Sequence, residues 1–326
     1  MRTTLRCALA ATVALAVTAC SGGPSGGGSP GPSGSPASPA AAGFPVTVAS
    51  CGKDFSYAKP PTRVVLGYPG TLDTLAALGV QDSVHGYVLG SLGKLPAGAP
   101  ERIVEVSPDY TPSRESMVGA QPDLFLGNDE GQVTGKGTVS YDDLAGIGSG
   151  VYIMGGYCAK VPANRTLSGI YDDVDNLGRI FGVPERATTL KGELESRVAK
   201  AKESLSGKRL RVAYVQSYDG KLYALSGYPA SSIIDALGQV NEFDDILQSW
   251  AEISREDALS RKPDVLIVSA SAGDAERAVA EVKKTLAGTK AVKDGHVFAV
   301  AGSDFEAGGV DVINQLEQVA AELGRP

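Results

Sequence analysis

The chain has 326 residues, enough for two globular lobes, and a formal net charge of −7. The acidic balance and the lack of any basic block argue against nucleic acid as a partner. Beyond the first twenty residues, no stretch is long and apolar enough to cross a membrane.

Residues 1–19 have the pattern of an export signal. Two arginines supply a basic start, and residues 8–17 form an apolar segment too short to span a membrane permanently. The ending Val-Thr-Ala-Cys at 17–20 resembles a bacterial lipobox, in which the cysteine carries the lipid of the mature protein. We therefore expect a lipoprotein signal peptide over 1–19 and lipidation at Cys20, with a plain secretory signal as the alternative.

Residues 20–43 are almost wholly Gly, Ser, Pro and Ala, which predicts a flexible tether. Once Cys7 leaves with the signal and Cys20 takes the lipid, Cys51 and Cys158 remain. In an exported protein such a pair predicts a disulfide. Neither cysteine has a histidine nearby in the sequence, which argues against a metal site at this pair.

Residues 44–182 alternate short apolar runs with helical patterns, as in an α/β lobe. Strands are predicted at 61–66, 84–88, 102–106, 123–126 and 151–154, and helices at 71–79, from Ser113 onward, at 139–146 and at 165–181.

Residues 183–207 form the connecting segment of the chain. Pro184 suits the first helical position and Gly207 the position just past the helix end. At 1.5 Å per residue the predicted helix is roughly 35 Å long. Its apolar stripe consists of Ala187, Leu190, Leu194, Val198, Ala201 and Leu205.

Residues 208–326 repeat the α/β pattern of the first lobe. Strands are predicted at 209–215, 221–225, 264–268 and 296–300, and helices at 230–237, from Ser254 onward, at 274–287 and at 310–323.

A sequence repeat links the two lobes. Ser-Arg-Glu at 113–115 is followed after six residues by Pro-Asp at 122–123 and an apolar run. Ser-Arg-Glu at 254–256 is followed at the same spacing by Pro-Asp at 263–264, an offset of 256 − 115 = 141 residues. Two copies in one register predict two similar lobes joined by one helix.

The predicted ligand site lies in loops at the carboxyl ends of the strands, where parallel α/β folds bind ligands. Only 6% of the chain is aromatic, so aromatic residues concentrated in these loops indicate a large, partly apolar ligand. Few arginines occur there, which favours a neutral or cationic ligand over an anionic one. The predicted ligand contacts are Tyr68, Tyr110, Asn128, Tyr157, Tyr218, Trp250, Asp304 and Phe305.

Catalytic patterns are scarce. His85 and His296 are the only histidines, one within a predicted strand and the other at the start of one. Two scattered histidines cannot furnish a transition-metal site. We expect no catalytic residue, no cofactor and no metal ligand.

The chain resembles the substrate-binding proteins of bacterial ABC importers for ferric siderophores, haem and cobalamin, the group with a rigid helical backbone. The resemblance covers residues from about 60 to 323 and rests on the order and spacing of several pieces. They are Pro61-x-Arg63-Val-Val, Leu78-Gly79, Glu115 ahead of Pro122-Asp123-Leu124, the connecting helix, Trp250-x-x-Ile253-Ser254-x-Glu256, Pro263-Asp264-Val265 and Val292-Lys-Asp-Gly295-His-Val.

The resemblance implies an α/β fold of two Rossmann-like lobes with mainly parallel sheets, joined by a single long α-helix, with the ligand clamped between the lobes. It implies that Glu115 and Glu256 meet arginines of the permease. The family often has a binding aromatic at the Trp250 position and contacts at those of Asn128, Asp304 and Phe305.

Two departures bear on the ligand. Asp73 stands where the family usually has glutamate, and Glu306-Ala307-Gly308 replaces an arginine often found just after the Asp304 position. The second departure weakens the case for an anionic ligand.

We expect a monomeric receptor, lipid-anchored on the outer face of the cytoplasmic membrane, that delivers an iron–siderophore complex, hydroxamate-type preferred, to an ABC permease. Cobalamin or haem is the alternative ligand; for haem, Tyr68, Tyr157 or Tyr218 could supply the axial oxygen. An exported hydrolase, or a surface interaction protein without a ligand, is the alternative from another class.

Overall fold

The computed structural model describes residues 43–89, 95–154, 158, 167–227, 229–246, 248, 250–271, 273–301 and 308–325. Within them, two α/β lobes are joined by one long helix, as predicted. The strands are β1 (Val46–Ser50), β2 (Lys53–Tyr57), β3 (Val64–Leu66), β4 (Val84–Val88), β5 (Val104–Ser107), β6 (Leu124–Gly127), β7 (Gly150–Ile153), β8 (Arg211–Tyr218), β9 (Lys221–Leu225), β10 (Val240–Asn241), β11 (Trp250–Ile253), β12 (Val265–Ala270) and β13 (Val297–Ala301). The helices are α1 (Thr71–Ala77), α2 (Arg114–Ala120), α3 (Tyr141–Gly146), α4 (Leu167–Ile180), α5 (Pro184–Ser204), α6 (Ala230–Ala236), α7 (Arg255–Ser260), α8 (Ala275–Thr285), α9 (Lys290–Asp294) and α10 (Val310–Gly324).

The first lobe contains a parallel sheet in the order β5-β4-β3-β6-β7. An antiparallel hairpin, β1–β2, packs beside β7. The Tyr57 hydroxyl donates to the Val151 carbonyl at 3.1 Å, and the Ile153 N–H donates to Ser50 Oγ at 2.8 Å. These bonds attach the hairpin to the edge of the sheet.

The second lobe contains a mixed sheet in the order β11-β9-β8-β12-β13, with β10 beside the start of β8. β8, β12 and β13 run parallel, whereas β9 is antiparallel to both β8 and β11. The tight turn at Asp219-Gly220, where both residues have positive φ, reverses the chain directly after β8. This hairpin accounts for the antiparallel half of the sheet.

The long helix α5 buries four residues of the predicted stripe, Ala187, Leu190, Leu194 and Ala201, whereas Val198 is half-buried and the buried Leu205 lies just past the helix end. It packs against α4 of the first lobe and α10 of the second. One hydrophobic cluster runs from Val64 in the first sheet through α5 to Ile267 in the second. The two lobes therefore share a core as well as a linker.

The sequence repeat corresponds to one structural motif in each lobe. The Asp123 carboxylate accepts the backbone N–H of Arg63 at 2.8 Å, and the Asp264 carboxylate accepts that of Arg211 at 3.1 Å. Both arginines also donate from their side chains to a carbonyl at the end of α2 or α7. Each aspartate thus fastens the first parallel strand of its lobe to the neighbouring helix–strand unit.

Candidate ligand-binding site

The carboxyl ends of the two sheets adjoin each other. Val310, which opens α10 after β13, donates its backbone N–H to Thr74 Oγ1 of α1 at 3.2 Å. Gly309 has a φ of 59° and lies so close to Thr74 and Met154 that a side chain on it would overlap Thr74. Because α1 follows β3 and Met154 follows β7, the edges at which parallel α/β folds bind ligands meet here.

Three aromatic side chains, Tyr218, Tyr223 and Trp250, form a cluster on the second sheet that we call the aromatic corner. The Trp250 ring stacks on Tyr223 with centroids 3.9 Å apart and planes 6° apart. Tyr218 stands edge-on to Trp250, at 6.1 Å and 69°. Tyr223 is 8% exposed, whereas Trp250 is 48% and Tyr218 60% exposed. Exposed aromatic surface of this size indicates a binding site for an apolar or flat ligand.

Strand register brings the three rings together. Tyr223 of β9 lies opposite Gln216 of β8 and Glu252 of β11, so these side chains share one face of the sheet. Trp250 Nε1 donates to Gln216 Oε1 at 2.8 Å. Lys221 pairs with Glu252 at 2.7 Å, and this hydrogen bond raises the pKa of Lys221. The polar groups beside the rings are therefore paired with each other or with the indole.

The location of Tyr218 and Trp250 in strand-end loops was predicted wrongly. Tyr218 is the last residue of β8 and Trp250 is the first residue of β11. The reason is the β8–β9 hairpin, which continues β8 to Tyr218 and offers β9 as a partner for β11. The two side chains nevertheless meet in the aromatic corner.

A buried glutamine joins three strand-end loops of the first lobe. Gln132 Nε2 donates to the carbonyls of Gly67 and Tyr110 at 2.9 and 3.0 Å, and its Oε1 accepts the Asn128 N–H at 3.1 Å. A Cβ on Gly67 would lie 2.5 Å from Gln132 Oε1, so the close approach of the loops requires glycine there. Nothing in the sequence around Gln132 distinguishes it from an ordinary surface glutamine.

The predicted contacts of the first lobe fall into two groups. Tyr110 is half-buried and Asn128 is buried, and Gln132 brings their backbones together at the ends of β5 and β6. Tyr68 is only 2% exposed and packs with Met117 and Phe125. Its ring is therefore part of the core and has almost no surface that a ligand could contact. Cys20, Tyr157, Asp304 and Phe305 lie outside the described residues.

Glu115 and Glu256 occupy equivalent positions in the two lobes. Each is exposed and is the second residue of its helix, α2 or α7. Ser113 and Ser254 cap these helices by accepting the backbone N–H three residues later. A carboxylate in a first helical turn is stabilised by the helix dipole while it remains solvated.

The predicted disulfide between Cys51 and Cys158 is confirmed, with Cα atoms 5.1 Å apart. Cys51 lies in the turn of the β1–β2 hairpin, and Cys158 follows β7. The bond therefore attaches the chain just beyond a carboxyl strand end to the hairpin.

Both histidines lie away from the carboxyl strand ends. His85 is the second residue of β4, its Nδ1 is 3.1 Å from the Ser83 carbonyl, and His296 directly precedes β13. His85 lines a cavity of about 300 Å³ between α2 and the β3–β5 strands, outside the edge where the sheets adjoin. In the described ranges, no three His, Cys, Asp or Glu side chains gather as a metal site would require. This placement of the histidines argues against the hydrolase alternative.

Among the described helices, none has the length and apolar character needed to span a bilayer. Comparison with known proteins identifies relatives over most of the chain. The sequence pattern of the family described as periplasmic binding protein matches residues 64–302, more than half of the chain.

Two curated proteins and one solved structure illustrate the likeness. The petrobactin-binding protein YclQ of Bacillus subtilis (strain 168) is 22% identical over 272 residues, 79% of this chain and 81% of that protein. The vitamin B12-binding protein of Yersinia pestis (strain Pestoides F) is 23% identical over 217 residues, 65% of this chain and 71% of that protein. A structure described as an ABC-type Fe3+-hydroxamate transport system from Saccharomonospora viridis has a TM-score of 0.73 and 24% identity, covering 86% of this chain and 100% of that one.

Proposed function

Because the chain belongs to the periplasmic binding protein family, we propose that it is the lipid-anchored substrate-binding protein of an ABC importer. Its family consists of extracytoplasmic receptors rather than enzymes, and the two curated relatives are a petrobactin-binding and a vitamin B12-binding protein. The finer assignment is that its ligand is an iron–siderophore complex, with a hydroxamate-type chelator preferred.

The aromatic corner carries this proposal. A ferric trihydroxamate presents a largely apolar, uncharged or cationic exterior, which half-exposed rings can cover without a counter-charge. Lys221 and Glu252 beside the rings neutralise each other at 2.7 Å. Affinity would come from aromatic surface and hydrogen bonds to the chelator, with no protein atom on the iron.

The remaining contacts would come from both lobes. Asn128 and Tyr110 stand at strand ends of the first lobe, and Tyr157 follows β7 in the sequence. Asp304 and Phe305 follow β13, whose next helix begins against Thr74 of the first lobe. We assign the lobes to residues 44–182 and 208–326, so that each lobe would contribute contacts to a ligand bound between them.

Anchoring and docking complete the assignment. Lipid on Cys20 and the tether up to residue 43 would hold the receptor, as a monomer, on the outer face of the cytoplasmic membrane. Glu115 and Glu256 would then contact arginines of the permease, one from each lobe. The repeated helix–strand motif supports this pairing, because a two-fold permease needs equivalent contacts from both lobes.

Cobalamin and haem are the alternatives within the family. Cobalamin also requires aromatic walls without a counter-charge, and one relative is a vitamin B12-binding protein. Haem would need a tyrosine or histidine as axial ligand, and the exposed Tyr218 could supply it more readily than the buried Tyr68.

Fluorescence titration of the soluble domain distinguishes these ligands, because Trp250 is the only tryptophan. Ferrioxamine B, haemin and cyanocobalamin are added separately, with N-acetyltryptophanamide as the control for light absorption by each chelate. We expect saturable quenching by ferrioxamine B and none beyond the control by the other two. Saturation by haemin or cyanocobalamin alone would favour that alternative instead, and quenching by none would reject the proposed ligand class.

A further inference from the structure

The indole of Trp250 is held from two directions. Tyr223 covers one ring face, with centroids 3.9 Å apart and planes 6° apart, and Gln216 Oε1 accepts the indole N–H at 2.8 Å. Tryptophan has a single hydrogen-bond donor. Because Trp250 is half-exposed, water could satisfy that donor without Gln216. The hydrogen bond is therefore not needed to satisfy a buried group, and what it adds is a fixed ring orientation.

The backbone places the Gln216 amide where it can do this. Gln216 lies directly opposite Tyr223 in the β8–β9 register and two residues before Tyr218 on the same face. The backbone pairing of the hairpin fixes its position relative to both rings. Its oxygen accepts the indole N–H, so Gln216 can act on a ligand through the orientation of Trp250.

We propose that Gln216 is the positioning residue of the ligand site, holding the Trp250 indole flat on Tyr223 so that the free face of the indole, with Tyr218 edge-on beside the stack, forms a fixed seat for an apolar face of the ligand. This inference rests on the proposed function and deepens it. A ring that is already oriented loses little side-chain freedom when a ligand stacks on it, and so less binding free energy is lost to ordering. The seat favours ligands with an apolar exterior over small, strongly hydrated polar solutes.

The first test follows the motion of the indole without ligand. Trp250 is the only tryptophan, so time-resolved fluorescence anisotropy of the folded protein reports this one ring. Gln216→Leu removes the acceptor at similar volume, and Gln216→Glu restores one. We expect a fast depolarising component in Gln216→Leu that is absent from the wild type and from Gln216→Glu. Gln318→Leu, at an exposed position of α10, is the matched control and should behave as the wild type.

The second test measures affinity for ferrioxamine B by titration calorimetry. We expect Gln216→Leu to bind about three- to ten-fold more weakly, as when one large side chain must be ordered on binding, and Gln216→Glu to recover most of that loss. Unchanged anisotropy or unchanged affinity in the Gln216→Leu variant overturns the inference. So does a Gln216→Glu variant that shows the same fast depolarising component and the same loss of affinity as Gln216→Leu.

The same measurements separate this inference from the proposed function. If the wild type binds none of ferrioxamine B, haemin and cyanocobalamin, the proposed function fails. The anisotropy comparison is made without ligand, so it still tests whether Gln216 restricts the motion of the Trp250 indole.

Discussion

At the scale of single residues, Trp250 combines high exposure with tight local contacts. One face of the Trp250 ring stacks on Tyr223, and the other face remains available to a ligand. Removing the indole should therefore remove this binding surface without creating a cavity in the core. We expect Trp250→Ala to weaken ferrioxamine B binding by about 1–3 kcal/mol, the range of an interface anchor. The melting temperature of the free protein should change by about 2–4 °C at most, equivalent to about 1 kcal/mol.

Calorimetry measures both quantities for Trp250→Ala, since this variant has no tryptophan signal. Val104→Ala is the control, because Val104 is another exposed large hydrophobic residue and lies at the edge strand β5. A Trp250→Ala variant that binds normally but melts far lower would mean that the ring supports the fold and that the site is elsewhere.

Residue type and local pattern predicted part of the candidate site. Trp250 and Tyr218 stand out in the sequence because aromatic residues are scarce, and they do come together. The burial of Tyr68 could not be predicted, because it depends on a cluster that Tyr68 forms with Met117 of α2 and Phe125 of β6. Gln132 carries no sequence signal, since its role arises only when three loops converge on it.

At the scale of elements, the disulfide and the hydrogen bonds of the β1–β2 hairpin are separate attachments of the hairpin to the first lobe. The hairpin bonds to β7 through Tyr57 and Ser50, so it should remain docked without the disulfide. We expect the double variant Cys51→Ser/Cys158→Ser to lose up to about 4–5 kcal/mol of unfolding free energy, because the bond closes a loop of 107 residues.

Denaturant unfolding of the Cys51→Ser/Cys158→Ser variant measures this loss, and thiol titration of the unreduced wild-type domain should find no free cysteine. The hairpin should retain protection of its backbone amides from hydrogen exchange. Two titratable thiols in the wild type, or a variant as stable as the wild type, would contradict the expectation.

A second element-level feature is the clamp between α5 and α10. Arg197 donates to both carboxylate oxygens of Glu317, at 2.9 and 2.6 Å, and this hydrogen bonding lowers the pKa of Glu317. A carboxylate whose pKa falls on folding stabilises the folded state above its unfolded pKa and loses that contribution as the pH falls. The clamp should therefore weaken in acid.

We expect Glu317→Gln to be about 0.5–1 kcal/mol less stable than the wild type near neutral pH, the range for partly exposed ion pairs. The difference should shrink as the pH falls through the lowered folded-state pKa of Glu317 and vanish once this carboxylate is protonated. Denaturant unfolding of both proteins at several pH values measures it, and Gln318→Leu is a control on the same helix. A difference that is constant or grows towards acid pH would contradict the assigned role of the pair.

Most elements of the fold follow from periodicity, and the elements that were not predicted are β1, β2, β10, β11 and α9. The stripe of α5 and the parallel strands are long or apolar enough to predict. No element is predicted before residue 61, because the hairpin strands are short and their turn relies on positive φ at both Cys51 and Gly52. β11 was missed because its four residues become a strand only through pairing with β9.

At the scale of the whole molecule, the repeated motif makes docking testable. Glu115 and Glu256 are exposed at equivalent helix starts, so Glu115→Ala/Glu256→Ala should change stability by no more than about 0.5 kcal/mol and leave ligand affinity unaltered. Ligand uptake by cells should nevertheless fall sharply, and charge reversal to arginine should be worse, because such charges act on encounter and orientation.

A matched control for the docking variant uses carboxylates at other helix starts. Asp142 and Glu276 are exposed second residues of α3 and α8, so Asp142→Ala/Glu276→Ala removes the same charge from similar positions. Uptake measured with the labelled ferric chelate should be normal in this control. Equal uptake by both double variants, or weaker ligand binding by the docking variant, would show that the docking surface lies elsewhere.

The core shared by the two lobes makes them one cooperative unit. Val64, Leu194 and Ile267, from the first sheet, α5 and the second sheet, belong to the same buried cluster, so neither lobe keeps its interior when the other unfolds. Heating should therefore give a single two-state transition with equal calorimetric and van't Hoff enthalpies. A ligand that touches only the aromatic corner would then protect the whole chain, raising its unfolding free energy by RT ln(1 + [L]/Kd) in both lobes at once.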